Sequence, residues 1–269
     1  MLSALSVPIG IIIAFGGLLA AYSIEKGSVA SLILLSPFLT VFVGTWGAVI
    51  ASFGINNTLA AFKAFIGIFS KKNRPDPDVL IKKLSQISAR CRQDGILKLE
   101  EMLKDNDIAS DKYLLLKEGM LLVMGIKDMD RIESILETDI DAYTSKKQEQ
   151  IEVFQGAGGF SPTLGVIGTV MGLVQVLSHM SNAEELTASI AVAFIATLYG
   201  VVFANLIYLP IANQLKNDLK HQKMYKHIII TGILLIASGE TPRNLENQLS
   251  LYYQAFPGFE KKYKEGINN

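Results

Sequence analysis

Four stretches of the chain, roughly residues 4–24, 29–53, 156–178 and 187–211, contain no Asp, Glu, Lys, Arg or His. Crossing the hydrocarbon core of a bilayer takes about 20 predominantly apolar residues in a helix, so each stretch is long enough to span. Half of the 269 residues are hydrophobic, which favours a membrane protein. The first stretch has no basic region before it and no small-residue cleavage site after it, so it reads as a retained span rather than a leader.

Short connections pair the spans into two antiparallel hairpins. Ser23–Ser28 joins the first two, and an acidic loop with His179, Glu184 and Glu185 joins the last two. Of the 25 Lys and Arg, only Lys26 lies in either connection. The rest fall in the middle segment or the tail, which the positive-inside rule assigns to the cytoplasm together with both termini. The expected fold is an all-α polytopic membrane protein. It has a hairpin over 1–53, a cytoplasmic helical domain over 54–155, a second hairpin over 156–211 and cytoplasmic C-terminal helices over 212–269.

Within the middle segment apolar residues recur at helical spacing: Leu80, Leu84 and Ile87, then Leu97 and Leu103, then Leu114–Leu116, Leu121 and Leu122. Pro75 and Pro77 end a linker, and Asp76 or Asp78 can cap the helix that follows. Ahead of that linker, Asn57–Phe69 carries Phe62, Phe65, Ile66 and Phe69 on one stripe; it reads either as an interfacial helix or as an inward continuation of span two. From Ile132 a helical pattern runs through Tyr143, Gln150 and Phe154 into span three, and span four continues through Gln214–Lys226. Ile228–Ala237 is apolar but only half a crossing long, so it belongs inside the cytoplasmic domain.

No enzyme signature is present. Gly156–Gly159 follows no strand and precedes no Gly-Lys-Ser/Thr, so it reads as a flexible helix start rather than a phosphate loop. His179, His221 and His227 are scattered, and the single Cys91 reads as a packed side chain, so neither a metal site nor a disulfide is expected. The formal net charge is zero, which gives no footprint for nucleic acid. The spans also lack the carboxylates or amines that ion relays use at membrane depth. If ions cross here, a partner must supply the carrier.

What the last two spans do hold is small and hydroxyl-bearing. Gly168 and Gly172 make a GxxxG face that permits close helix approach. Counted from the cytoplasmic ends at about 1.5 Å per residue, Thr169 and Thr197 reach comparable depth near mid-membrane. They either line one path or simply bond their own helix carbonyls. Pro162 and Pro210 both fall near the cytoplasmic face, where each frees a carbonyl and can serve as a hinge.

Five segments together resemble the MotA and PomA proteins. They are Gly44-Thr45-Trp46-Gly47-Ala48, Arg92–Glu100, Phe160–Thr169, Ile190–Gly200 and Gly239–Glu246, in the family's order over nearly the whole chain. The resemblance implies a flagellar stator subunit in the bacterial cytoplasmic membrane, several copies of which, a pentamer, surround two copies of a single-span MotB-type partner. That partner carries the ion-binding aspartate and a peptidoglycan-binding domain. The resemblance further implies that Arg92 and Glu100 engage the rotor protein FliG and that Pro162 and Pro210 take part in coupling. No cofactor is implied; the translocated ion is H+ or Na+, with protons favoured. The alternative is an ExbB/TolQ-type energiser of outer-membrane machinery, against which the hairpin at 4–53 argues. A self-contained channel or membrane scaffold is the rival of a different class.

Overall fold

The computed structural model describes residues 2–68, 76–95, 113–178 and 183–255. Helix α1 is Leu2–Ile24, α2 Leu35–Phe53, α3 Ile55–Ile68, α4 Pro77–Asp94, α5 Leu114–Gly125 and α6 Met129–Ser178. Helix α7 is Ala183–Val202, followed through a π-helical turn at Phe203–Tyr208 by α8, Leu209–Ala237; α9 is Pro242–Ser250. All the regular elements of the described residues are helical. Four helices are long and apolar enough to cross a membrane: α1, α2, the 50-residue α6 and the helix that runs from Ser189 to Ala237.

The chain forms two compact units, Met1–Ser70 with Lys147–Lys216, and Lys71–Lys146 with Asn217–Asn269. The first holds the spans. Span two begins later than its composition predicts. Val29–Leu32 is a 3-10 turn, Ile33 and Leu34 are extended, and the helix starts only at Leu35. The side chain of Tyr199 makes this break tolerable: its hydroxyl donates to the Leu32 carbonyl at 2.5 Å and accepts from the Leu34 N–H at 3.1 Å, satisfying backbone groups that a helix would otherwise satisfy itself. Inside α2, Leu39–Val43 is π-helical.

Gly54 stops α2. Its φ of 77° is in the left-handed region that glycine enters without penalty, and α3 starts afresh beyond it. Helix α3 is therefore a separate helix, not an extension of span two. Its buried residues are Thr58, Ala61 and Ile68, while Ile55, Leu59, Phe62 and Ile66 keep a substantial exposed area. The expected stripe of Phe62, Phe65 and Ile66 shares one side of α3 but is only partly covered: Phe65 is half-buried, Phe62 and Ile66 stay exposed, and Phe69 lies outside the described residues. Phe62 and Phe65 also meet Phe154, and Trp46 packs on Phe62, Phe154 and Tyr208 with ring centroids 4.7–6.1 Å apart.

The second unit has its own core. Leu80, Leu84 and Ile87 of α4, Leu116 and Met120 of α5, Ile132, Leu136 and Ile140 of α6, and Ile228, Ile229 and Ile233 of α8 form one buried cluster. The run Ile228–Ala237 is apolar because it occupies the middle of that cluster. Leu114 and Leu121 do not join it; they are exposed, since α5 buries Leu115, Leu116, Gly119 and Met120 instead. Leu97 and Leu103 lie outside the described residues. Asp76 caps α4, its carboxylate accepting from the Asp78 N–H at 3.0 Å, with Pro77 in the first turn where no N–H is needed. Cys91 is buried in the same cluster, and burial pushes its thiol up.

Candidate functional site

The crossing of α6 and α7 is built from small residues. An added Cβ at Gly165 would lie 2.9 Å from the Ala196 carbonyl oxygen, and one at Gly200 would lie 2.7 Å from the Ser161 carbonyl oxygen. At Gly168 it would meet the Ala196 methyl at 2.7 Å, and at Gly172 the Ala193 methyl at 2.8 Å. The GxxxG face read from the sequence is therefore the contact with span four, extended one turn by Gly165 and answered by Ala193, Ala196 and Gly200. The glycines at 156 and 158 serve the same end. Both are interior to α6, where a Cβ would meet Phe53 at 2.5 Å and Leu209 at 2.7 Å. The expectation of a flexible helix start there is corrected: the positions need closeness, not freedom.

Close approach brings the two hydroxyls together. Thr169 Oγ1 lies within hydrogen-bond distance of Thr197 Oγ1, of the Gly165 carbonyl at 3.1 Å and of the Ala193 carbonyl at 2.9 Å. The bond to its own helix and the bond across the interface coexist. Both threonines are half-buried. About two turns along α6, next to Pro162, Ser161 is fully buried and donates to the Gly200 carbonyl at 3.0 Å.

Two positions escaped the sequence reading, Ser161 and Tyr199. Ser161 stands beside Pro162 in a matched segment, a signal that was present; the bonds of Tyr199 to Leu32 and Leu34, some 165 residues away, leave no local trace.

Pro162 lies inside α6, which continues through it, and Pro210 follows the π-helical turn at the start of α8. Both are half-buried. Arg92 sits in the last turn of α4, exposed, and its Nη1 donates to the Gly239 carbonyl at 2.6 Å. Helix α4 ends at Asp94, with Gly95 in the left-handed region at φ 83°. Glu100 lies outside the described residues. The site residues thus fall into two groups, the Thr169–Thr197 crossing in the first unit and Arg92 in the second. Among the described residues no cluster of three or more His, Cys, Asp or Glu could hold a metal ion.

Fold and site together define a four-span helical membrane protein whose last two spans cross closely through small residues, with a hydroxyl pair at the crossing. Comparison with known proteins makes this specific. Residues 109–227 match the MotA/TolQ/ExbB proton channel family. Motility protein A of Bacillus subtilis (strain 168) is 31% identical over 247 residues, 92% of this chain and 90% of that protein. Chemotaxis protein PomA of Vibrio alginolyticus is 29% identical over 226 residues, 84% of this chain and 86% of that protein. The C. jejuni MotAB structure superposes with a TM-score of 0.84 at 27% identity, covering 92% of this chain and 95% of the other. The flagellar MotAB stator complex from Bacillus subtilis gives 0.83 at 29% identity, covering 96% and 97%. The chain belongs to the MotA/TolQ/ExbB proton channel family, on its MotA/PomA branch.

Proposed function

We propose that this chain is the multi-span subunit of a flagellar stator, coupling ion flow across the inner membrane to torque on the rotor. The observation that carries the reading is the Thr169–Thr197 hydroxyl pair, at a tight crossing of two spans that have no Asp, Glu, Lys, Arg or His. Such a pair can line an ion's path but cannot store its charge. The full-length likeness to MotAB structures favours a MotB-type partner as the source of the missing carboxylate. Two spans ahead of Gly54 favour a MotA-type stator over an ExbB/TolQ-type energiser.

In this mechanism ion binding to the partner's aspartate removes its charge and changes its fit against spans three and four. Release restores the charge. Copies of this chain, a pentamer around the partner dimer, step around it, with Pro162 and Pro210 acting as hinges. Residues 54–155 and 212–269 and both termini face the cytoplasm, where Arg92 and Glu100 push the rotor protein FliG. One ion crossing 100 mV delivers about 2.3 kcal/mol, several times thermal energy. Protons are the favoured ion.

Deleting the chain and measuring swimming tests the reading: motility is lost and returns with the chain supplied in trans. Cells that swim as fast as their parent without it would overturn the proposal. Swimming speed that follows sodium concentration and survives a protonophore would replace the proton with sodium.

A further inference from the structure

The segment Gly239–Glu246 matches the family but has no part in the mechanism above, and it lies against the helix that carries Arg92. Helix α8 closes there with the two reciprocal bonds of a Schellman motif: Glu240 N–H to the Leu235 carbonyl and Gly239 N–H to the Ile236 carbonyl, each 3.0 Å. Gly239 has φ 76°, a conformation that side-chain-bearing residues avoid. The closure uses up the two N–H groups, and the two carbonyls serve α4. Ser88 Oγ, 1% exposed, donates to the Glu240 carbonyl at 2.9 Å, and Arg92 Nη1 donates to the Gly239 carbonyl at 2.6 Å. Ser88 and Arg92 are four residues apart and so share one face of α4.

The turn is braced from its other side. Glu240 accepts from the Thr241 N–H at 3.0 Å and from Asn244 Nδ2 at 2.9 Å, while Thr241 Oγ1 caps α9 by accepting from the Asn244 N–H at 3.3 Å. Asn244, then Thr241, and the Arg92 charge after them, hold the Glu240 carboxyl below its usual range, so it stays ionised beside Arg92.

We propose that the Gly239–Asn244 turn is a positioning element for Arg92, fixing one arm of its guanidinium on the Gly239 carbonyl and presenting the exposed remainder of the fork to the rotor. An arginine on an exposed last helical turn otherwise samples many rotamers, and each must be given up on contact. A backbone acceptor cannot be removed by substituting its own side chain, so the geometry of the turn is what matters: glycine at 239 and the Glu240–Asn244 clasp. The proposal rests on Arg92 being a rotor contact.

The test uses the intact stator complex in motile cells, with Gly239→Ala and the milder Asn244→Ala, each beside Arg92 and beside Arg92→Gln. Torque per stator unit is read from speed steps of a bead tethered to the motor. Residues that act through one another are non-additive, so each turn variant is expected to lower torque about threefold beside Arg92 and less than about 1.5-fold beside Arg92→Gln. Equal fold-losses in both backgrounds, or a gain beside Arg92, overturn the positioning role. Unchanged torque in Arg92→Gln alone overturns the rotor-contact reading instead. The tie itself is read by hydrogen exchange on the purified complex: loss of one hydrogen bond of ordinary strength is expected to speed exchange at Glu240–Asn244 about fivefold in Arg92→Gln. Unchanged exchange there overturns the proposal whatever the torque.

Discussion

Gly200→Ala probes the packing on which the crossing depends. The new Cβ would sit 2.7 Å from the Ser161 carbonyl oxygen and 3.1 Å from the Cα atoms of both Gly165 and Pro162. Carbon pairs rest at about 3.5–4.0 Å, so the overlap is roughly 0.4–0.9 Å, and all three neighbours are backbone. No rotamer relieves it; the helices must part. A retreat of about 0.5 Å stretches the Ser161–Gly200 bond from 3.0 Å to the edge of hydrogen-bond geometry. Overpacking costs about 1–3 kcal/mol and the weakened buried bond about 1 kcal/mol, against about 1 kcal/mol gained from alanine's helix propensity. The net loss is about 1–3 kcal/mol, a fall of several degrees in thermal midpoint. The assay is thermal unfolding of the detergent-solubilised complex. Gly16→Ala is the control: no atom lies within 4 Å of its Cβ, so its midpoint stays level or rises slightly. A Gly200→Ala midpoint at or above the parent's, or an equal fall in Gly16→Ala, would refute the argument.

Tyr199→Phe removes both bonds to the break before span two, and proteolysis between Gly27 and Leu35 is expected to quicken, with stability down by about 1–3 kcal/mol. Ile233→Ala, at a fully buried position that fills the space beside Gly119, is expected to cost about 2–5 kcal/mol in chemical denaturation followed by circular dichroism. Burial, then the Asp218 charge, pushes the Tyr143 phenol up to about 12. In the unfolded chain phenols ionise near pH 10, so stability present below pH 10 is lost as pH rises towards 12. Tyr143→Phe is expected to flatten that part of the stability profile. Arg92→Glu is expected to impair swimming while the partner still co-purifies with the chain; normal swimming and torque in Arg92→Glu with Glu100→Lys would discard that contact.

The spans were legible because hydropathy over about 20 residues needs no tertiary information, and Gly168 and Gly172 because GxxxG spacing fixes a helix face. Counting residues from the two ends of a hairpin was enough to place Thr169 opposite Thr197. The sequence did not reveal where span two starts, since Val29–Leu34 is as apolar as a helix. Only the distant Tyr199 hydroxyl explains why its backbone can leave helical form. Periodicity likewise found α5 but not its buried face: apolar runs at Leu114–Leu116 and Met120–Leu122 put leucine on more than one side, and packing against Ile233 and Leu136 at Gly119 decides that Leu114 and Leu121 turn outward. The tie between Arg92 and Gly239 joins positions 147 residues apart through a backbone atom, which no side-chain pattern encodes.

Ion flux into proteoliposomes tests most directly whether this bundle depends on a borrowed charge. Vesicles holding the chain alone are expected to stay at background under an imposed potential, and flux is expected to appear when the aspartate-bearing partner is reconstituted with it. Flux through the chain alone at a comparable rate would contradict the account.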